Sequence, residues 1–563
     1  MIYHCEDYTC NYWDEGEKLP ERCPQCGRKL LRANEADMTG DDWTALGNTL
    51  WDAEASDKKR MVDCFRKAAY LGSAWGVCNL GICMEQGNGV EADPVQAFWL
   101  YQQAVEMGSL NAVCCLGVCY QYGIGTAPDA KQAAELYCKA AEYGSPRGQM
   151  LLARAFHDGI GVEADAAEAV YWVRAAAYQR YGEGMHRLGV CYEYGDGVEQ
   201  NWERAVHWFR EAAESGVSVA MADLGYCYEK GCGVEQSWEQ AFSWYRRSAE
   251  CGNPVSMSNL GLCYQMGYGV EQNWQEAIKW YEQGAQCGDL QSMHNLACCY
   301  EGGEGVEQNE ERALYWYRRG AEAGSDYCMY CLGWNYSNGE GVEQNMTEAI
   351  RWYTAAAEGG NADAMHDLGW LYDHGEGVEQ DMKKAICWYE RAAEQNHPAA
   401  MNSLGECYAM GRGVPRDLET AMEWYRRAAE LGEAMADYNM GWHLEQAGKL
   451  SEAYAHYRKA ADGNDDSAWW ALGRFYENGV VVAQDGKEAR RCYETGEKLG
   501  SVKCKMRLAR CKLLGIGGRR AKKAGLDLCR QALELAKESS EKEDYGYEAE
   551  MNLLRRTIAE NES

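Results

Sequence analysis

The chain has 563 residues, a net charge of −31, 46% hydrophobic residues and 12% aromatic residues. An acidic balance of this size argues against general binding to nucleic acid or to anionic membranes, because both would repel the protein at long range. No run of eighteen apolar residues occurs, and the first residues lack the basic and apolar regions of a secretory signal. We therefore expect a soluble, cytoplasmic protein that does not bind membranes.

Four cysteines near the N-terminus have the spacing of a zinc ribbon. Two pairs stand twelve residues apart, and the second pair lies in a CPQCG turn. Four thiolates complete the tetrahedral coordination of a structural zinc ion and leave no open position for catalysis. We predict a small β-rich ribbon over residues 1–36, with iron in a rubredoxin-like site as the alternative metal. The predicted zinc ligands are Cys5, Cys10, Cys23 and Cys26.

Residues 37–536 contain a repeat with a period of 36 residues, and this period is typical of a solenoid. A glycine of an LG-type pair marks most units, and alanine replaces it at Ala153 and Ala297. The glycines are Gly81, Gly117, Gly189, Gly225, Gly261, Gly333, Gly369, Gly405 and Gly441. The predicted units are 39–72, ten units of 36 residues over 73–432, then 433–464, 465–500 and 501–536, followed by a capping helix and tail over 537–563.

The unit at residues 217–252 shows how each repeat is expected to fold. Ala220, Leu224 and Tyr228 have the spacing of one helix face, and the GCGV sequence that follows ends the helix, because glycine is costly inside helices. A second run at helical spacing is closed by Gly252, which suits a left-handed C-terminal position. The sequence therefore predicts an all-α protein of about fourteen stacked helix-turn-helix units.

The unit pattern A-x-x-x-L-G-x-x-Y-x-x-G-x-G-V, followed by A-x-x-W-Y-x-x-A-A-E-x-G, resembles the Sel-1-like repeat family. This family is a branch of the tetratricopeptide-like α-solenoids. The resemblance implies a right-handed α-α superhelix that acts as a non-catalytic, bacterial protein-interaction scaffold. It also implies that a partner protein or peptide binds in the concave groove of the solenoid.

Most of the 27 cysteines fit a reduced protein interior. Seven of them occupy the second position after the repeat glycine or alanine, so stacked helices would present them as an internal column. The members of this column are Cys83, Cys119, Cys191, Cys227, Cys263, Cys299 and Cys407. We expect them to be packing residues. A Met column, which includes Met185 and Met401, is likewise expected to fill the core.

The binding groove is predicted from the helical register. Positions three before and one after the repeat glycine are four residues apart and therefore adjacent on another face of the first helix. From the unit of Gly333 onwards, Trp and Tyr take six of these ten positions, and such a composition is typical of interaction hot spots. The alternative is that these aromatic side chains pack in the core. The predicted partner-binding residues are Tyr330, Trp334, His366, Trp370, Asn402, Glu406, Tyr438, Trp442, Trp470 and Arg474.

The C-terminal repeats reverse the charge of the chain. Residues 487–530 hold fourteen Lys and Arg residues against four acids. A basic end could bind an acidic ligand such as a phosphate-bearing molecule, or the acidic repeats of a second copy. The alternative is a solvated basic capping helix. The candidate residues for this patch are Lys505, Arg519, Arg520, Lys522 and Lys523.

The repeat region contains no motif of an enzyme. Phosphate-binding, zinc-protease and serine-hydrolase motifs are missing from the sequence, so we expect no catalytic activity. Two alternatives stay open. One is a hydrolase of the β-lactam or thiol type, and the other is a nucleic-acid-associated protein that uses the ribbon and the basic C-terminal repeats.

Overall fold

The computed structural model describes residues 2–5, 13–15, 30–32, 38–51, 55–542 and 547–562. These residues contain 29 α-helices and three short β-strands. They fall in two compact units, Met1–Ser292 and Met293–Ser563. The prediction of an all-helical solenoid is confirmed for the repeat region. Within the described ranges, every helix is too short or too polar to cross a bilayer.

Three strands near the N-terminus form one antiparallel sheet with the order β2-β1-β3. They are β1 (Ile2–Cys5), β2 (Trp13–Glu15) and β3 (Leu30–Arg32). Of the four predicted zinc ligands, Cys5 ends β1, and Cys10, Cys23 and Cys26 lie outside the described residues. The zinc site therefore stays a prediction.

The helices follow one another along the chain in pairs. The Met1–Ser292 unit contains α1 (Gly40–Thr49), α2 (Ala55–Tyr70), α3 (Ala74–Gln86), α4 (Pro94–Glu106), α5 (Leu110–Tyr122), α6 (Ala130–Glu142), α7 (Pro146–Asp158), α8 (Ala166–Tyr178), α9 (Gly182–Tyr194), α10 (Trp202–Glu214), α11 (Ser218–Lys230), α12 (Trp238–Glu250), α13 (Pro254–Met266) and α14 (Trp274–Gln286). The next helix, α15 (Leu290–Gly302), includes the unit boundary. The Met293–Ser563 unit contains α16 (Glu310–Glu322), α17 (Asp326–Asn338), α18 (Met346–Glu358), α19 (Ala362–His374), α20 (Met382–Glu394), α21 (Pro398–Met410), α22 (Leu418–Glu430), α23 (Ala434–Gln446), α24 (Leu450–Asp462), α25 (Asp466–Asn478), α26 (Gly486–Lys498), α27 (Val502–Leu514), α28 (Lys522–Lys542) and α29 (Glu548–Glu562).

Local sequence signals set the ends of these helices. In the pair α11 and α12, the first helix ends at Gly231, which has the left-handed φ of 74° that glycine tolerates best. The second helix begins after Ser237, whose side chain accepts a hydrogen bond from the backbone N–H of Gln240. We call the odd-numbered members of the pairs from α1 to α27 first helices, and the even-numbered members second helices.

The repeat glycine lies inside the first helix because a buried aromatic ring packs on it. A Cβ atom on Gly225 would lie 2.6 Å from Cε1 of Tyr245, a residue of the second helix. The Tyr245 hydroxyl donates a 2.7 Å hydrogen bond to Glu229, one turn after the glycine. Most repeats therefore share a core of three positions: a small residue, a polar residue four positions later and a ring twenty positions later. Buried rings stand at Tyr101, Tyr137, Phe209, Tyr245, Tyr281, Tyr317, Tyr353, Tyr389, Tyr425, Tyr457 and Tyr493.

Sulfur-containing side chains complete this core, as the sequence predicts. All seven cysteines of the predicted column are buried and free of disulfide bonds. Burial raises the pKa of these thiols, for example that of Cys83 to about 11, so they stay protonated near neutral pH. Met185 and Met401 of the Met column are also fully buried.

Candidate partner-binding face

The ten predicted groove residues all lie on first helices of the Met293–Ser563 unit. Two of them lie on each of α17, α19, α21, α23 and α25. The two positions have different environments. The residue after the repeat glycine is exposed where it is tryptophan: Trp334 is 47% exposed, and Trp370 and Trp442 are each 38% exposed. These three side chains are large apolar groups that the fold leaves in contact with solvent.

The residue three positions before the glycine is held by neighbouring helices. The Tyr330 hydroxyl on α17 donates a 3.1 Å hydrogen bond to Asp367 on α19. Burial and the carboxylate of Asp367 raise the pKa of Tyr330, so its hydroxyl stays a donor. His366 lies 3.1 Å from Asp367 through Nδ1, and its ring stacks on His397 with centroids 5.2 Å apart. Tyr330 and His366 therefore fix the spacing of first helices.

Asn402 and Glu406 belong to a polar network between α21 and α23. The side-chain amide of Asn439 donates to Asn402 Oδ1 at 3.0 Å and to Glu406 Oε1 at 3.3 Å. Burial raises the pKa of Glu406, and Arg412, 3.7 Å away, partly offsets this effect. On α23, Tyr438 packs against the ring of Tyr457 with centroids 5.6 Å apart. These residues are engaged within the fold.

Trp470 and Arg474 on α25 also have internal partners. The guanidinium of Arg474 lies over the Trp470 ring at 4.6 Å, and the Lys503 ammonium lies 5.3 Å from the same ring. Arg474 forms a 2.6 Å ion pair with Glu445. Trp470 therefore has contacts with side chains of both α25 and α27. Of the six predicted Trp and Tyr residues, the structure exposes Trp334, Trp370 and Trp442.

The same register exposes two residues that the sequence prediction did not include. Tyr226 on α11 is 44% exposed and Leu262 on α13 is 41% exposed, and both follow a repeat glycine. They lie in the Met1–Ser292 unit. Their signal was present in the sequence, because they occupy the position of Trp334 in earlier repeats. We call the exposed tryptophans at this position in the Met293–Ser563 unit the apolar row: Trp334, Trp370 and Trp442.

The predicted basic patch divides into two parts. Arg519, Arg520, Lys522 and Lys523 are exposed on the connection from α27 to α28 and on the first turn of α28, whereas Lys505 lies half-buried on α27. Arg520 donates hydrogen bonds to the Leu513 carbonyl and, at 2.7 Å, to Asn561 on α29. Arg507 and Arg510, nearby on α27, both form ion pairs with Glu477. Part of the basic excess is therefore neutralised within the fold.

The described residues hold no group of three His, Cys, Asp or Glu side chains arranged to bind a metal ion. The CxxC pair on α17 consists of Cys328 and Cys331, and burial raises the pKa of both thiols. Cys115 on α5 is an exception: its contact with Cys78, and then Arg147, lowers its pKa, and Cys115 is buried. Reactive thiolates need both a low pKa and access, so this geometry gives little support to thiol chemistry.

Comparison with known proteins identifies the repeat. The model of the Sel1 repeat matches twelve segments: 76–109, 112–145, 146–181, 182–217, 218–253, 254–289, 290–325, 326–361, 362–397, 398–433, 434–465 and 468–501. No curated protein sequence matches the chain.

Solved structures show the same repeat. The chain is 30% identical to c5321, a protective antigen present in uropathogenic Escherichia coli strains with an SLR fold; the match covers 89% of this chain and 94% of that chain, with a TM-score of 0.51. It is 28% identical to a Sel1 repeat protein from Oxalobacter formigenes, over 56% of this chain and 93% of that chain, with a TM-score of 0.43. The twelve matched segments make up more than half of the sequence, and the chain therefore belongs to the Sel1 repeat family.

Proposed function

We propose that this chain is a non-catalytic scaffold that binds a partner polypeptide through the tryptophans of the apolar row. Sel1 repeat proteins are generally protein-interaction scaffolds. The observation that carries the proposal is the exposure of Trp334, Trp370 and Trp442 at one register of the first helices, between 38% and 47%. The second-helix ring of the same repeats is buried, whereas these three side chains keep a large face in solvent, although Trp370 also stacks on His374 and Trp442 contacts His443. Large exposed aromatic residues at one register favour a binding function.

The surroundings of the row indicate the chemistry of the partner. The helices that carry the three tryptophans, α17, α19 and α23, contain acidic residues and no Lys or Arg. The chain as a whole carries a charge of −31. We propose a polypeptide with apolar or aromatic side chains flanked by Lys or Arg, because opposite charges steer association and exclude acidic competitors.

The test compares two triple variants. The first is Trp334→Ala, Trp370→Ala and Trp442→Ala. The control is Trp99→Ala, Tyr171→Ala and Tyr315→Ala, which removes aromatic side chains that are 65%, 60% and 52% exposed on second helices. Truncation of a hot-spot residue costs about 2 kcal/mol or more of binding free energy. We expect affinity capture and calorimetric titration of the captured polypeptide to show loss of binding in the first variant only. Equal affinity of both variants would remove the row from the proposal.

The N-terminal segment supports a second proposal. We infer that Cys5, Cys10, Cys23 and Cys26 hold one structural zinc ion, on the basis of their spacing and of the short antiparallel strands β1, β2 and β3 that alternate with them along the sequence. Metal analysis of protein prepared without chelator is expected to find one zinc per chain. Protein that is fully folded and contains neither zinc nor iron would contradict this proposal.

The other predictions keep their own tests. A cytoplasmic location and salt-dependent self-association through the basic patch remain predictions. The residues of this patch are Lys505, Arg519, Arg520, Lys522 and Lys523. The hydrolase alternative would show itself as turnover in a screen of β-lactam and thioester substrates. The nucleic-acid alternative predicts steep, salt-dependent retention on DNA or RNA.

A further inference from the structure

The row of buried rings has a gap in the repeat formed by α7 and α8. Nine of the ten repeats of 36 residues place Tyr or Phe at the ring position, and this repeat has Val173 there. Its small residue is Ala153, and its acceptor position, four residues later, is His157. The repeat therefore lacks the side chain that fills the space between the two helices in all the others.

A cavity of about 470 Å³ lies at this place. All three substituted positions line it: Ala153, His157 and Val173. Its volume falls within the range of about 300 to 1,000 Å³ that is usual for small-molecule sites. Its apolar wall consists of Met150, Leu151 and Val170 together with Ala153 and Val173. An apolar cavity left by a missing side chain can take up an aromatic molecule of matching size.

The polar lining of the cavity contains three arginines and three acids, which are Asp158, Glu183 and Asp196. Arg147 and Arg154 come from α7, and Arg187 comes from α9. The first helices from α1 to α13 carry only one further Lys or Arg, which is Lys230. Three of the four cations on these helices therefore meet at the position where the ring is missing.

These arginines are available to an anion. Arg154 and Arg187 form long pairs with Asp158 and Asp196, at 3.5 Å and 3.6 Å. Pairs this exposed contribute only about 0 to 1 kcal/mol, so they yield easily to a ligand. Both carboxylates also contact the ring of His157, at 2.7 Å and 3.2 Å.

Arg147 has no acid as a partner. Its guanidinium donates to Asn111 Oδ1 at 2.7 Å and contacts the Cys115 sulfur at 3.6 Å, and within the described ranges it forms no ion pair. The remaining acid of the lining, Glu183, accepts a hydrogen bond from the Tyr181 hydroxyl at 3.1 Å. Arginine suits planar, bidentate recognition of a carboxylate.

We propose that this cavity binds a small aromatic carboxylate. The ring lies on Ala153 and Val173, in the space that Tyr245 fills in its own repeat, and the carboxylate meets Arg147 and Arg154. His157 occupies the acceptor position that Glu229 holds for the Tyr245 hydroxyl. A ligand whose ring carries a hydroxyl group can therefore hydrogen-bond there. This site is separate from the apolar row of the proposed scaffold function.

The test measures binding of 3-phenylpropionate to the full chain by calorimetry. Hexanoate has the charge without the ring, and benzyl alcohol has the ring without the charge.

The decisive variant is the double substitution Ala153→Gly and Val173→Tyr, which restores the small residue and the ring of the other repeats. It fills the cavity and is expected to raise the melting temperature, because glycine removes the clash that a Cβ atom makes with the ring. A second variant, Arg147→Gln with Arg154→Gln, keeps the cavity and removes the charge.

We expect 3-phenylpropionate to bind wild type at least tenfold more tightly than hexanoate or benzyl alcohol. We expect 3-phenylpropionate not to bind the variant whose cavity is filled by Ala153→Gly and Val173→Tyr. We expect it to bind the variant Arg147→Gln with Arg154→Gln at least tenfold more weakly than wild type, at an unchanged melting temperature. Failure of 3-phenylpropionate to bind wild type would overturn the proposal. So would equal affinity for wild type and the cavity-filled variant, or equal affinity for the three probes.

Discussion

At the scale of single residues, one steric pairing explains the most regular feature of the sequence. The repeat glycine leaves room for a ring from the second helix, as at Gly225, where an added Cβ would lie 2.6 Å from the Tyr245 ring; the repeat of Ala297 holds its buried Tyr317 ring beside an alanine instead. Glycine inside a helix costs about 1 kcal/mol relative to alanine. The buried ring and its hydrogen bond to Glu229 offset this cost.

This pairing predicts the effect of Gly225→Ala. We expect the variant to lose about 1 to 3 kcal/mol of stability, because a fully buried ring cannot move away from the new methyl group without strain. Thermal unfolding followed by circular dichroism measures the change. A higher melting temperature of the variant would contradict this prediction. It would mean that the ring moves aside and that the better helix propensity of alanine decides the outcome.

The sequence predicted the buried positions better than the exposed ones. A residue that recurs at every repeat must serve what all repeats share, and so the cysteine column could be assigned to the core. The face of the variable positions could not be assigned in this way. Tyr330 and Trp334 are one helical turn apart, yet Tyr330 hydrogen-bonds Asp367 on the next first helix, whereas Trp334 is 47% exposed. The different environments of these two side chains depend on how neighbouring helices cross. The crossing of helices cannot be read from the sequence of one helix.

At the scale of elements, the C-terminal helix α29 closes the Met293–Ser563 unit. Met551 and Leu554 are buried in a cluster with Met506 and Leu513 of α27. Arg507 donates two 2.7 Å hydrogen bonds to the carboxylate of Glu550. Solenoids need such caps because the last repeat has no successor to cover its apolar face.

The ion pair predicts that Glu550→Ala loosens α29. Arg507 and Glu550 are 13% and 8% exposed, and removal of one partner leaves a buried charge short of its counter-ion. We expect the variant to lose about 3 kcal/mol of stability, a value at the low end of the range for buried ion pairs. The loss is limited because Arg507 still has Glu477 as an ion-pair partner, 3.4 Å away. Hydrogen exchange of the α29 amides measures the opening. Glu548→Ala, at an exposed position on the same helix, serves as the control, and equal exchange in both variants would contradict the prediction.

The cavity shows what element-level reasoning could have found. Val173 departs from a position that is otherwise Tyr or Phe in the 36-residue repeats, and this departure is visible in the sequence. The sequence could not show whether α7 and α8 move together to fill the space. The cost of an empty volume depends on how far its surroundings relax, and that is a property of the packed structure.

At the scale of the whole molecule, the buried tyrosines make stability depend on pH. Burial raises the pKa of Tyr101, Tyr245 and Tyr493, so the folded chain keeps these hydroxyls protonated. The unfolded chain releases the same protons near pH 10. Stability is therefore complete below about pH 10 and falls as the pH rises above it.

We expect cooperative alkaline unfolding above about pH 10. The buried tyrosines should ionise only as helical structure is lost, whereas exposed ones such as Tyr194, which is 74% exposed, ionise in the folded state. Parallel titration of tyrosinate absorbance and circular dichroism measures both events. Complete ionisation of the tyrosines while the helices remain intact would contradict the prediction that the buried tyrosines stay protonated in the folded chain.

The measurement that tests the scaffold proposal most directly is photo-crosslinking from the apolar row. A photoreactive phenylalanine analogue is placed at position 334 in one sample and at position 99 in another, and each is irradiated with the partner bound. We expect the partner to be covalently joined from position 334 and not from position 99. Crosslinking from position 99 with none from position 334 would contradict the account, because the partner would then lie on the second helices.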